Sequence, residues 1–120
     1  MTQDDQPRNE VILVGRVSGA AQERELPSGD VLLSWRLVVD RPPPRKPPPD
    51  GVRVPTQDTV DCVAFAPAPR RSAGALDPGD VVRVEGALRR RFWRAGAAAA
   101  SRTEVEVTSV KRLTRAQASR

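Results

Sequence analysis

The 120-residue sequence contains no histidine, no tyrosine and a single cysteine, Cys62. One cysteine excludes a disulfide within the chain, and the absence of histidine leaves no zinc site of the usual ligand spacing. The sequence also lacks a glycine-rich phosphate loop between a strand and a helix, and a nucleophile would have no histidine base to activate it. We therefore expect no metal, no cofactor and no enzymatic activity.

Long apolar runs are also absent. No stretch approaches the roughly 18 residues that a membrane-spanning helix needs, and the opening residues, MTQDDQPRNE, are polar and acidic rather than basic and then apolar. This pattern is not that of a signal peptide. The sequence predicts a single soluble domain, cytoplasmic and nucleoid-associated, with no membrane partner.

Lysine is scarce, with 2 lysines against 18 arginines. Lys and Arg together number 20 against 15 Asp and Glu, which gives a net charge of +5. A basic chain favours an anionic partner, and guanidinium groups can both fork onto phosphate and stack on a base. A GC-rich genome would produce the same arginine excess, so composition alone does not identify the partner.

Five segments have the residue pattern of β-strands. Apolar residues that alternate with polar ones, or form short β-branched runs, predict strands at residues 11–17, 31–40, 59–66, 81–88 and 102–110. A short, weak helix is expected at residues 67–76, between the third and fourth strands. This order is typical of a small closed barrel. Alternation predicts that the core contains Leu33, Trp35, Leu37, Val39, Cys62, Ala64, Ala66, Val82, Val84, Val105 and Val107.

The same alternation gives three other side chains an outward position. Phe65 lies on the more polar face of the third strand, where an exposed aromatic suggests either a ligand contact or a packed rim position. Glu104 and Glu106 share one face of the fifth strand. We interpret the two glutamates as a solubilising stripe rather than as an acid–base pair.

Proline is concentrated between residues 41 and 55, where seven of fifteen residues are proline. Proline cannot donate within a sheet interior and tends toward polyproline II, so residues 41–57 are predicted to form a stiff, exposed loop rich in Pro and Arg. The cations of this loop, Arg53 among them, could contact a bound strand. A solvated spacer and a ligand for an SH3-type domain are the alternatives.

The most basic part of the chain is also aromatic, because Arg89, Arg90 and Arg91 are followed directly by Phe92 and Trp93. If the strand stays extended, Arg89, Arg91 and Trp93 lie on one side and the other two residues on the opposite side. Stacking of a base on an aromatic ring contributes about 1–3 kcal/mol, and arginines add phosphate contacts. The pattern favours binding of single-stranded nucleic acid; a packed Trp93 beside solvated arginines is the alternative.

Several segments, in this order and spacing, resemble the bacterial single-stranded DNA-binding protein (SSB) family. They are NEVILVGRV at residues 9–17, LPSG at 26–29, SWRLVV at 34–39, CVAF at 62–65, GDVVRVEGALR at 79–89 and TEVEV at 103–107. The resemblance implies an all-β fold, a five-stranded Greek-key barrel of the oligonucleotide-binding (OB) type with a short helix between strands 3 and 4. The OB-fold domain would span residues 10–113, after a disordered segment at 1–9 and before a basic tail at 114–120.

The resemblance also implies non-sequence-specific binding of single-stranded DNA in replication, repair or recombination by a homo-oligomer, either a tetramer or a dimer. It places Phe65 and Trp93 at stacking positions, and it places four arginines on or near DNA-facing strands. Together with the residues drawn from the pattern itself, the predicted nucleic-acid-binding set is Arg16, Arg36, Arg53, Phe65, Arg89, Arg91, Phe92 and Trp93.

The chain departs from the family pattern at three positions. Glu25 and Thr59 stand where aromatic residues are common, and Asp61 stands where a basic residue often follows. We therefore expect weaker and more electrostatic binding per subunit. The sequence ends in Ala-Ser-Arg rather than in an acidic, hydrophobic tip, so no tail-mediated protein recruitment is expected. An SSB-like protein-interaction module with weak nucleic-acid binding is the alternative function.

Overall fold

The computed structural model describes residues 5–117. Its elements are β1 Val11–Glu25, β2 Val31–Asp40, β3 Gln57–Ala64, α1 Pro67–Gly74, β4 Val81–Ala95 and β5 Ala98–Thr114. The strands form a closed barrel in the order β1-β2-β3-β5-β4, and all neighbours are antiparallel except β3 and β5. The predicted all-β, five-stranded barrel with a short helix between the third and fourth strands is confirmed.

The barrel interior is filled by the apolar residues that alternation predicted. One cluster of buried side chains contains Val17, Leu33, Trp35, Leu37, Cys62, Ala64, Ala73, Val82, Val84, Val105 and Val107, and Val39 packs against it. Ala66 is the exception to the prediction, because it is exposed. The chain has left β3 at Ala64, and Ala66 is already the N-cap of the helix.

Helix α1 is short because its sequence limits it at both ends. Pro67 opens the helix, where its missing N–H costs nothing, and Gly74 ends it. Its buried residues are Pro69 and Ala73, and Ala73 belongs to the core cluster. No helix within residues 5–117 is long and apolar enough to cross a membrane.

Three strands are longer than their apolar patterns predict. The patterns end the first, fourth and fifth strands at residues 17, 88 and 110, whereas the structure extends them to Glu25, Ala95 and Thr114. The extensions are held by backbone pairing with a neighbour: β4 and β5 pair continuously up to Ala95 and Ala98. A two-residue turn joins the two strands, with Gly96 at a φ of 66°.

A buried carboxylate joins the turn between α1 and β4 to the end of β5. The Asp80 side chain, 2% exposed, forms an ion pair with Arg112 at 3.0 Å. It also accepts hydrogen bonds from the backbone N–H groups of Asp77 at 2.9 Å and Ala116 at 2.7 Å. The two backbone donors, and then Arg112, hold the pKa of the Asp80 carboxyl below its ordinary value.

The chain enters the barrel through Asn9, whose side chain continues the β1–β4 pairing. It donates to the backbone oxygen of Leu88 at 2.7 Å and accepts the Leu88 N–H at 2.8 Å. Thr114, the first residue of the predicted tail, is the last residue of β5. Residues 1–4 and 118–120 lie outside the described part of the chain, and the domain boundaries at 10 and 113 stay predictions.

We expect Gly86→Ala to destabilise the barrel, because a Cβ atom at this position would lie 2.0 Å from the backbone oxygen of Glu106. Because the contact is with backbone, the β4 and β5 backbones would have to separate at this point, and the free energy of unfolding should fall by about 1–3 kcal/mol. Urea unfolding followed by circular dichroism measures it. The control is Gly74→Ala, where the added Cβ would lie 3.8 Å from Leu33 Cδ2; a change of more than about 1 kcal/mol there would contradict the packing explanation.

We expect Asp80→Asn to lower the urea midpoint at pH 7 and to have a smaller effect at pH 3. Because the native pKa of Asp80 is lowered, its contribution to stability is complete above the unfolded pKa of about 3.9 and is lost as the pH falls through the native pKa. The exposed Asp50 serves as the control, and Asp50→Asn should leave the midpoint unchanged at both pH values. An Asp80→Asn effect equally large at pH 3 would contradict the assignment.

Candidate nucleic-acid interface

The β4–β5 hairpin presents the basic and aromatic run in extended form. Phe92 is 72% exposed and Trp93 is 47% exposed, although both are paired with β5 in the ladder, near its tip. The ladder fixes their backbone, so the two rings are displayed in defined positions, on opposite sides of the hairpin, rather than on a loose loop. Exposed rings on a fixed backbone are suited to stacking.

The two sides of this hairpin carry different contacts, in agreement with the predicted alternation. Arg89 and Arg91 approach the same carboxylate, Glu106, at 4.0 and 3.9 Å. On the opposite side, the Arg90 guanidinium lies 5.4 Å from the centre of the Phe92 ring and donates to Ser101 Oγ at 3.3 Å. Arg90 and Phe92 thus form a unit separate from Arg91.

Arg91 lies at the centre of a compact group of charged and aromatic side chains. Its guanidinium forms an ion pair with Glu104 and lies 4.6 Å from the centre of the Phe65 ring. Glu104 is 7% exposed, so the interpretation as a solubilising stripe is wrong for Glu104, whereas Glu106 is half-exposed. Phe65 is half-buried, and one of its faces is already occupied by a cation.

Arg16 and Arg36 are also paired with carboxylates. Arg16 donates to both oxygens of Asp40 at 3.0 and 3.2 Å, which lowers the pKa of that carboxyl. Arg36 donates to Asp61 at 3.2 Å, and the two residues lie directly opposite each other on β2 and β3. Four of the predicted phosphate-binding arginines, at 16, 36, 89 and 91, therefore already approach an acid of this chain.

Arg53 lies apart from these groups, on the exposed proline-rich loop, and has no ion pair or hydrogen bond within residues 5–117. The base of the loop is held by a hydrogen bond from the Arg41 N–H to the Thr56 oxygen at 2.8 Å and by the ion pair of Arg41 with Asp58 at 2.7 Å. Residues 41–57 are all exposed, and Gln57, the last residue of the predicted loop, is already the first residue of β3.

A groove of about 580 Å³ opens where β1 and β2 face the start of the β5 return strand. Its walls are Ser18, Gly19, Ala20, Gln22, Glu23, Arg24, Ser34, Trp35, Arg36, Asp61, Cys62, Arg102 and Glu104. The groove brings Arg36 together with the Glu104 partner of Arg91. Of the eight predicted binding residues, Arg36 alone lines the groove; the others, which are Arg16, Arg53, Phe65, Arg89, Arg91, Phe92 and Trp93, are not part of its walls.

Arg24 and Arg102 are groove residues that the sequence analysis missed. Neither has a carboxylate partner within residues 5–117. Arg24 lies on the part of β1 that has no apolar pattern. Arg102 lies directly opposite Arg91 across the ladder, an arrangement of like charges that is unfavourable without an anion nearby. Aligning the residues before and after Gly96 as the two strands of a hairpin would have indicated from the sequence that Arg91 faces Arg102.

Cys62 lies in the core and also contacts the groove. Burial raises the pKa of its thiol to about 12, with the charges of Asp61 and Glu104 adding to the effect. The thiol is therefore protonated at neutral pH and a poor nucleophile. Within residues 5–117, no group of three or more Cys, Asp or Glu side chains is placed to hold a metal ion.

The barrel topology, the helix between β3 and β4 and the groove beside a long β4–β5 hairpin define an OB-fold protein. Residues 8–113 match the model of the "Single-strand binding protein family", and the chain belongs to this family. The resemblance predicted from the sequence is thereby confirmed.

Two known proteins illustrate the likeness. A "Single-stranded DNA-binding protein" of Thermotoga maritima is 35% identical over 85 residues, which cover 71% of this chain and 58% of that protein. A chain from the "Plasmodium falciparum SSB complex with ssDNA" superposes with a TM-score of 0.71 at 20% identity, covering 91% of this chain and 97% of that one. The second likeness supports the fold.

The two tryptophans should differ in their accessibility to a neutral quencher, because Trp35 is 4% exposed and Trp93 is 47% exposed. We expect acrylamide to quench the Trp35→Phe variant, which retains Trp93, several-fold more efficiently than the Trp93→Phe variant. Stern–Volmer plots of the two variants measure the difference. Equal slopes would mean that Trp93 is packed, as in the alternative raised by the sequence.

Proposed function

We propose that this protein binds single-stranded DNA without sequence specificity and without chemically changing it. The observation that carries the proposal is the pair of exposed rings, Phe92 and Trp93, set among arginines on a fully paired hairpin. Membership of the single-strand binding protein family supports the same function. Stacking and phosphate contacts are available to every base, so this chemistry does not select a sequence.

The bases would stack on Trp93 and Phe92, and the phosphates would contact the cations around them. Arg24 and Arg102 are the groove cations that are free to do so at once, since neither has an acidic partner in the described structure. Arg16, Arg36, Arg89 and Arg91 would contribute after exchanging a carboxylate for a phosphate. Phe65 would offer its remaining ring face, and Arg53 would act from the proline-rich loop.

We further propose that the working form is a homo-oligomer, a dimer or a tetramer. The outer face of β1 exposes two large apolar side chains, Ile12 at 59% and Val14 at 48%. Both lie on the part of β1 that pairs with β4, and their exposed side chains give a second copy an apolar surface to pack against. Measuring the mass in solution with and without oligo-dT of about 35 nucleotides reports assembly and binding together.

The cellular role we propose is protection of single strands during replication, repair or recombination, at the nucleoid. This proposal rests on the binding chemistry, because single-stranded DNA is an intermediate of those three processes.

Oligo-dT should quench the fluorescence of the Trp35→Phe variant, in which Trp93 is the remaining tryptophan. In the wild-type background, Trp93→Ala should weaken binding about 10- to 100-fold, since one base–aromatic stack is worth about 1–3 kcal/mol. Leu113→Ala is the control, because Leu113 is 46% exposed but lies near the end of β5, at the opposite end of the β4–β5 ladder from Trp93. Titrations at several salt concentrations should show log K falling with log salt by about 0.7 for each phosphate contacted.

Absence of quenching, together with no retention of single strands at low salt, would contradict the proposal. In that case the protein-interaction module becomes the better interpretation. A Leu113→Ala variant weakened as much as Trp93→Ala would place the binding surface elsewhere.

A further inference from the structure

The charges on the groove wall are balanced, although the chain carries a net charge of +5. Three arginines line the groove, Arg24, Arg36 and Arg102, and three carboxylates line it with them, Glu23, Asp61 and Glu104. A phosphate backbone that enters the groove therefore meets no net positive charge. The excess cations of the chain lie elsewhere, for example at Arg45, Lys46 and Arg53 of the proline-rich loop.

We propose that Asp61 occupies the Arg36 guanidinium in place of a phosphate and so limits the affinity of the groove for single-stranded DNA. The proposal rests on the DNA-binding function proposed above. The Arg36 Nε lies 3.2 Å from Asp61 Oδ1, and both side chains line the groove. A carboxylate and a phosphate make the same forked contact with guanidinium, so the two anions compete for one cation.

The position of Asp61 makes this competition persistent. Arg36 and Asp61 are direct partners across the antiparallel ladder of β2 and β3, so the backbone holds the two side chains together. A phosphate that takes Arg36 leaves Asp61 only one strand spacing away, and the two negative charges repel each other. Asp61 thus weakens phosphate binding in two ways. It pairs with Arg36 before the phosphate arrives, and its negative charge stays beside the phosphate afterwards.

The exposure of the pair permits the exchange. The Arg36 side chain is 66% exposed and the Asp61 side chain 35% exposed. Exposed ion pairs are weak and readily change partners. The Arg91–Glu104 pair differs, because the side chain of Glu104 is only 9% exposed. Of the two groove carboxylates that pair with an arginine, Asp61 is therefore the one that can be neutralised without uncovering a buried charge.

The test compares Asp61→Asn with Glu10→Gln in titrations of oligo-dT over a range of salt. Both variants raise the net charge by one unit, but Glu10 pairs with Arg8 at 3.8 Å and neither of these residues lines the groove. We expect Asp61→Asn to tighten binding about 3- to 10-fold and to steepen the salt dependence by about 0.7, because one more phosphate is contacted. Glu10→Gln should change neither by more than the general effect of one distant charge.

The Arg36→Gln background separates the mechanism from a charge effect. If Asp61 acts through Arg36, Asp61→Asn should tighten binding much less when Arg36 is already replaced. Thermal unfolding of each variant verifies that the barrel is retained.

The outcomes distinguish the two proposals. If the wild type binds oligo-dT and Asp61→Asn binds no more tightly than Glu10→Gln, the role of Asp61 is overturned and DNA binding stands. If neither the wild type nor Asp61→Asn binds at low salt, DNA binding is overturned and the role of Asp61 falls with it. Binding by Asp61→Asn where the wild type binds poorly would support both.

Discussion

The closure of the barrel depends on a very short parallel pairing, in which Cys62 faces Val105 and Val63 faces Glu106. The other strand neighbours are joined by longer antiparallel ladders, so these two pairs turn an open sheet into a barrel. Immediately before the pairing, Asp61 and Glu104 both line the groove. The same contact therefore completes the core and sets the position of the proposed binding surface.

Ion pairing determines which cations of this arginine-rich chain can meet a partner. Several arginines of the strands are matched with acids, and the most buried pair, Asp80 with Arg112, is structural, since it holds the end of β5 to the turn before β4. Cations without an acidic partner in the described chain lie on the loop, on the helix and also on the strands, Arg24 and Arg102 among them. A count of arginines therefore overstates the positive charge at the groove. The exposed rings of the hairpin accordingly account for more of the proposed binding.

The sequence predicted what depends on local pattern and missed what depends on register. Alternation identified Trp35 as a core residue because strand periodicity is a property of neighbouring residues, and Trp35 is 4% exposed. It could not indicate that Arg36 meets Asp61, 25 residues away, because that contact follows from how β2 aligns with β3. The burial of Glu104 likewise follows from how β5 aligns with its neighbouring strands, which the local pattern does not reveal. The long ends of β1, β4 and β5 were missed because partner backbones stabilise them in place of an apolar face.

The ribbon formed by the hairpin beyond Leu88 has a further consequence for the solubility of the chain. Pairing of β4 with β1 stops at Gly86, and the side chain of Asn9 forms hydrogen bonds with the backbone N–H and C=O of Leu88. Beyond that point, within residues 5–117, the outer backbone edge of β4 has no strand partner, and such an edge can template aggregation with another copy. Arg90 and Arg94 place positive charge along this edge, so two ribbons repel each other. Arg90 and Arg94 thus act as gatekeepers against self-association.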